Sequence, residues 1–153
     1  MREHMGLYRG KRKDNSEWVE GGYSRCNKDG STFITIMGKD HISYFGFHAE
    51  VDPDTVGECT GLKDKNDKLI FEGDIIKFGD NPLIVFWNDE AFGWYAKKLV
   101  DYVSMQFYIN CSDWNYIDLG WIAAEVPCIG KMTTEVIGNI HDNPELLKGE
   151  SNG

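Results

Sequence analysis

No stretch of this 153-residue sequence approaches the ~20 consecutive apolar residues that a membrane-spanning helix needs, so no membrane partner is expected. Cysteine is sparse and scattered. Cys26, Cys59, Cys111 and Cys128 contain no C-x-x-C pair, which leaves zinc ribbons and thioredoxin-like redox motifs without support. An even count suits two disulfides in a secreted protein, but no apolar leader follows the N-terminal charges. Free thiols and a cytoplasmic location are the expectation. Cations are also in deficit, with 16 Lys and Arg against 25 Asp and Glu for a formal net charge of −9. Because nucleic-acid affinity comes largely from Lys and Arg neutralising phosphates, a general polyanion binder is disfavoured. Helical periodicity is nearly missing, and no internal repeat, low-complexity tract or Pro/Ser-rich linker divides the chain. One domain over 1–153 is the expectation, with about 6–147 folded and 148–153 a polar tail.

What the sequence does contain is 41% hydrophobic and 13% aromatic residues, enough to bury roughly two thirds of the unfolded surface in one compact core. Aromatic and β-branched runs broken by Gly, Asn and Asp recur along it, the signal for short strands joined by turns. Glu17–Tyr23 and Thr32–Ile36, separated by Asn27-Lys28-Asp29-Gly30, read as a hairpin, and the pair Gly21-Gly22 suits a bulge or a close backbone approach. Ile42–Phe47 is another apolar run. The segment after it, Val51–Val56, is connective: Pro53 forbids a central ladder position, and Asp54 or Thr55 is placed to start a short helical turn. Leu69–Phe71, the turn Glu72-Gly73-Asp74, and Ile75–Phe78 follow. Leu83–Trp87 is apolar at every position, as in a strand covered on both faces, and Asn88-Asp89-Glu90 turns it into Phe92–Ala96 to form a meander. From Leu99 to Val126 only short strands are expected. Glu135–Ile140 reads as a strand and Asn143–Leu147 as one helical turn, with Asn143 as N-cap and Pro144 at its first position. So many short strands must bury one face against another sheet or close on themselves. The predicted class is mainly β, a small barrel or pseudo-barrel of short antiparallel strands with at most short helical turns.

Chemistry-bearing constellations are scarce. Asp64-Lys65-Asn66-Asp67 fails as a calcium loop because Lys68 takes the fifth position, Leu69 the sixth and Ile75 the twelfth; it fits a turn capped by its own Asp and Asn side chains. Glu72 and Asp74 flanking Gly73 have the makings of an acid–base pair, but Gly-Asp before an apolar strand more often serves a turn. His41, His48 and Cys59 are spaced too widely for a zinc motif. Neither a phosphate loop, a dinucleotide fingerprint nor a nucleophile elbow occurs. No catalytic residue, metal or cofactor is assigned. Two surfaces remain. Arg2, Arg9, Lys11, Arg12 and Lys13 against Glu3 give the first thirteen residues a balance of +4, which leaves −13 for the rest, so Arg9, Lys11, Arg12 and Lys13 form a candidate basic edge. The five tryptophans, Trp18, Trp87, Trp94, Trp114 and Trp121, serve either a core or an interface, and Phe92, Trp94 and Tyr95 form the best candidate interaction surface.

With these segments in place, the chain resembles the YopX family of bacteriophage and prophage proteins. The resemblance runs through Leu7–Arg12 with Asn15–Val19, through Val51–Gly57, and through its most specific block, Thr60–Lys77. Val85–Glu90 with Phe92-Gly93-Trp94, and Glu135–Ile140 with Asn143–Leu147, complete it. The family pattern singles out Thr60, Gly61, Leu62, Asp64, Asn66, Glu72, Gly73, Asp74, Gly138, Asn139, Asn143 and Pro144, all read as structural. Two departures stand out: Asp67 takes a turn position where the family usually carries Gly, and Leu99–Pro127 follows no family block. Asp tolerates the left-handed conformation better than most residues, so the turn is expected to persist.

The resemblance implies a mostly β, barrel-like fold and a phage or prophage origin, and it carries over no activity or catalytic residue. The expected role is a non-enzymatic accessory protein of the host cytoplasm that binds a protein partner, either a host or phage factor or a second copy in a homo-oligomer. A nucleic-acid-binding barrel that uses the basic edge is the alternative. A hydrolase using Glu72 and Asp74 is a weaker one.

Overall fold

The computed structural model describes residues 6–36, 47–78, 81–98, 116–119, 125–126, 130–131 and 134–147. Expectations for Trp114, Trp121, Cys111, Cys128, His41, the run 42–46 and the tail 148–153 lie outside these residues. Mostly antiparallel strands fall into two compact units, 1–61 and 62–153.

The first unit is built from β1 (Tyr8–Lys11), β2 (Trp18–Arg25), β3 (Thr32–Ile36), β4 (Phe47–Val51) and most of β5 (Gly57–Lys63), hydrogen-bonded in the order β4-β3-β2-β1-β5. The predicted β2–β3 hairpin is present, with Gly22 opposite Thr35 and Arg25 opposite Thr32. Its turn is closed by the Cys26 N–H on the Ser31 carbonyl (2.8 Å) and by the Asp29 carboxylate accepting the Ser31 N–H (2.9 Å). That second bond holds Asp29 below the usual carboxylate range. Alternation along β3 and β4 sends Thr32, Ile34, Ala49 and Val51 to one buried face, which Gly10 and Gly21 share. The pair Gly21-Gly22 has two different environments. A β-carbon on Gly21 would sit 1.9 Å from the Thr35 carbonyl oxygen, whereas one on Gly22 would meet nothing within 4 Å.

The connection after β4 contains one 3₁₀ turn, Pro53–Thr55, and it begins earlier than the sequence suggested. Asp52 is its cap, accepting the Asp54 N–H at 3.0 Å, because Pro53 has no N–H to lose at the first position. Thr55 is buried. Its hydroxyl donates to the Asp52 carbonyl (2.6 Å) and accepts the Lys11 N–H (2.9 Å), which ties the turn to β1.

The second unit takes the end of β5, which neighbours β6 (Leu69–Phe71), and then β7 (Asp74–Phe78), β8 (Asn81–Asn88), β9 (Gly93–Lys98), β10 (Tyr116–Asp118) and β13 (Thr134–Asn139). β11 (Glu125–Val126) and β12 (Gly130–Lys131) form a separate two-stranded ribbon. The main sheet has the order β10-β9-β8-β7-β13, with the predicted meander at its centre. Between β6 and β7 the chain changes sheets through a corner at Gly73, whose φ of 84° is open to glycine at little cost. Ile70, Ile76, Leu83, Val85, Ala96 and Leu119 form the core, and Leu62, Trp94 and Val136 pack against it. Along β8, Leu83 and Val85 face that core, and Ile84 and Phe86 on the other face are half-buried.

The mainly β class is as expected, but neither sheet closes into a barrel. In the first unit, the continuation of β1 reaches β4 through a single bridge, Arg12 to Val51, and the Lys13 N–H bonds to the Glu50 carbonyl at 3.1 Å. The ladder goes no further because the chain turns away at once, the Ser16 N–H bonding to the Arg12 carbonyl. In the second unit β13 joins beside β7, so β10 and β13 stay at opposite ends of the order. The helical content matches expectation where it is described: Pro53–Thr55 and Pro144–Leu147 are single 3₁₀ turns.

The two neighbouring glycines give a matched test. Gly21→Ala is expected to destabilise the protein by about 2 kcal/mol or more, because a methyl group and the Thr35 carbonyl cannot share the space. Gly22→Ala is expected to change stability by no more than about 0.5 kcal/mol. Urea unfolding of both variants checks the contrast.

Candidate functional site

The β8–β9 hairpin carries most of the predicted aromatic surface. Its loop is fixed by Asn88, whose side-chain oxygen accepts the N–H groups of Glu90 (3.0 Å) and Ala91 (3.2 Å), the local bonding that makes Asn a turn residue. Phe92 follows with φ 51° and is 81% exposed. A bulky side chain in the left-handed region is a genuine outlier. One row along the ladder, Trp87 stands opposite Trp94, their rings edge to face at 5.2 Å, and Trp87 is 41% exposed while Trp94 packs on the core. Trp94 and Tyr95 are successive residues of an extended strand and so lie on opposite faces. The three predicted residues therefore split: Phe92 is at the tip, Trp94 faces the core side, and Tyr95 shares the other face with Phe86 and Lys97. Lys97 Nζ lies 5.0 Å from the Phe86 ring. Trp87, which sequence reasoning counted among the rings without assigning it to the surface, joins Phe92 as an exposed aromatic. Its position opposite Trp94, one residue from the Asn88 turn, was the available signal.

The basic edge is present but internally engaged. Arg9 is buried, with its guanidinium carbon 4.7 Å from the centre of the Trp18 ring, and Lys11 Nζ lies 5.8 Å from the same ring. Arg12 pairs with Asp14, the Nε–Oδ1 distance being 2.9 Å, and also lies over Phe47 at 5.3 Å. That bond raises the Arg12 pKa and holds Asp14 below the usual carboxylate range. Lys13 Nζ meets Glu50 at 3.2 Å. The four side chains are thus near one another in the first unit, each turned toward a ring or a carboxylate of its own chain.

The motif block Thr60–Asp74 folds around one buried carboxylate. Thr60, Gly61 and Leu62 lie in β5, with Leu62 on the core. Asp64 is 2% exposed. One oxygen accepts the N–H groups of Asn66 (2.8 Å) and Lys68 (2.9 Å), which closes the turn as predicted, and Asp67 occupies its left-handed position at φ 62°. The other oxygen accepts the N–H of Val136 at 3.0 Å, a residue 72 positions away in β13. Lys65 reinforces this docking, its N–H bonding the Thr134 carbonyl (2.8 Å) and its ammonium meeting Glu135 (3.1 Å). No sequence signal pointed to that long-range attachment.

Asp74 is likewise buried, and its carboxylate accepts the Phe71 N–H at 2.8 Å across the corner. Glu72 is half-buried beside it. The Gly73 N–H bonds the Val85 carbonyl (3.0 Å) and the Ile140 N–H bonds the Gly73 carbonyl (3.0 Å), so this corner joins β8 and the end of β13. There the Asn139 side chain accepts from His141 and Asp142 (both 2.9 Å), and the Asn143 side-chain oxygen reaches back to the Asn139 N–H (3.2 Å) and lies against Gly138. Pro144 opens the 3₁₀ turn. Among the described residues no three His, Cys, Asp or Glu side chains are grouped to hold a metal, and no helix is long and apolar enough to cross a membrane.

The YopX family model, described as YopX protein, matches residues 7–148, nearly the whole chain. No curated protein matches it.

The attachment of Asp64 sets a measurable cost. Asp64→Ala leaves three N–H groups without their acceptor and is expected to destabilise by about 3 kcal/mol or more. Asp64→Asn keeps one acceptor oxygen but sets an amide donor against a backbone N–H, for an expected loss of about 1–2 kcal/mol. Asp67→Gly relieves the left-handed strain and is expected to be neutral or stabilising by up to about 1 kcal/mol. Chemical unfolding midpoints rank the three.

Proposed function

The chain belongs to the YopX family, and on that footing we propose that it is a non-enzymatic phage or prophage accessory protein that acts in the host cytoplasm by binding a protein partner or by self-assembly. The observation that carries this reading is the β8–β9 hairpin tip, where an 81% exposed Phe92 is held in a left-handed backbone next to an exposed Trp87. A large ring kept in water and in a costly conformation does nothing for the core of the free protein. Strained residues of this kind persist where function uses them, and aromatic side chains are the commonest anchors of protein interfaces.

The state of the carboxylates favours a non-enzymatic role. Asp64 and Asp74 each accept backbone N–H bonds inside turns, so the acidic residues with the most burial serve as structural acceptors. The nucleic-acid reading loses ground for a parallel reason. Phosphate binding needs cations that can leave their present contacts, and Arg9, Lys11, Arg12 and Lys13 are each engaged with a ring or carboxylate of the chain.

Two measurements bear on this. Size-exclusion chromatography with light scattering, run alone and after capture from cells carrying the gene, is expected to give an oligomer or a stoichiometric complex; a strict monomer that retains no partner overturns the reading. A salt-titrated mobility shift with single- and double-stranded DNA and RNA is expected to give no retardation even at low salt. Retardation abolished by neutralising Arg9, Lys11, Arg12 and Lys13 together would transfer the assignment to nucleic acid.

A further inference from the structure

We infer that the tip of the β8–β9 hairpin is a docking element for a protein partner that presents an apolar pocket rimmed by Lys or Arg, with Phe92 as the anchor and Asp89 and Glu90 as its charged flank. This rests on the protein-binding reading above and gives that partner a chemistry. The tip is Asn88-Asp89-Glu90-Ala91-Phe92-Gly93, in which Asp89, Glu90, Ala91 and Phe92 are all exposed and no cation occurs. The nearest cation along β9, Lys97, is opposite Ile84 in the ladder, four rows from the Asn88–Gly93 pair, and is engaged with the Phe86 ring. An exposed ring beside two exposed carboxylates complements a pocket whose floor is apolar and whose edge is cationic.

The loop is also built to present that ring. Asn88 accepts two N–H groups of the turn, and the Trp87–Trp94 pair fixes the strands beneath it, so little conformational freedom remains to be lost on binding. Glycine or asparagine would hold the φ of 51° at less cost, yet phenylalanine occupies it. The cost falls on the free protein, and only a contact outside it recovers anything from the ring.

Other occupants fit less well. A second copy carries the same net charge of −9, so two chains repel as they approach. An anionic lipid surface or a nucleic acid meets the same two carboxylates with like charge.

The test replaces Phe92 in the full chain with the photo-crosslinking residue p-benzoylphenylalanine, in cells of the bacterium that carries the gene, with the same residue at exposed Ser24 as control. Irradiation is expected to give an adduct from position 92 and not from position 24, mapping to an apolar segment of another protein with Lys or Arg within a few residues. Asp89→Lys with Glu90→Lys in that background is expected to reduce adduct yield at least tenfold. In parallel, Phe92→Gly is expected to raise the urea midpoint of the isolated protein. Adducts solely between copies of this chain would overturn the proposed partner while leaving self-assembly intact. Absence of any adduct above the control, in a protein that also runs as a strict monomer, would overturn both. Adduct yield indifferent to the charge reversal, or a lowered midpoint for Phe92→Gly, would remove the acidic flank or make Phe92 structural, and either overturns the proposal.

Discussion

A carboxylate taken out of water must replace its hydration with hydrogen bonds, and Asp64 does so with three backbone N–H groups drawn from two distant parts of the chain. That one requirement organises the second unit. Two of the bonds shape the turn between β5 and β6, and the third fastens the turn to Val136 in the middle of β13. The outward backbone groups of β13 that would otherwise form an open sheet edge are met by Asp64 and Lys65, at Val136 N–H and the Thr134 carbonyl. An edge strand closed off in this way is protected from pairing with a second chain. Asp74 repeats the device at shorter range: its acceptance of the Phe71 N–H steadies the corner at which the chain leaves one sheet for the other. Both acids lie in the block that most closely follows the family pattern, and their chemistry is that of turn acceptors.

The first unit solves its packing differently. Its buried face is made of small and β-branched residues, Thr32, Ile34, Ala49 and Val51, lying close to the backbone of β1 and β2 where Gly10 and Gly21 leave room. Trp18 lies on the other side, beneath two cations. The N-terminal cations are therefore engaged by a ring and by Asp14 and Glu50, contacts that hold the local geometry. The excess acid of the chain stands elsewhere, including the hairpin tip beside Phe92.

Local signals in the sequence were good guides to local structure. The β2–β3 hairpin, the β7–β9 meander, β13 and both 3₁₀ turns follow from β-branched and aromatic runs bounded by Gly, Asn, Asp and Pro, because strand and turn preferences act over a few residues. The Asp64 turn was legible for the same reason. The start of the turn was expected at Asp54 or Thr55 and is capped by Asp52, since all three residues have capping chemistry and only the position of Pro53 in the bonded turn separates them. The hairpin tip was half legible. Its aromatic cluster is visible in Phe92-Gly93-Trp94-Tyr95, but alternation on an extended strand sends Trp94 and Tyr95 to opposite faces and brings Trp87 from the facing strand into their place.

By itself the sequence determined the mainly β class, the sites of most strands and turns, and the family, since each depends on residue types at short spacing. Tertiary structure alone decided that the sheets stay open, that β13 joins β7 and is held there by Asp64, that the basic edge is spent internally, and that Phe92 stands in water. The physical reason is common to all four: which backbone groups and charges find one another across tens of residues is set by the packing of whole strands, and spacing along the chain does not encode it.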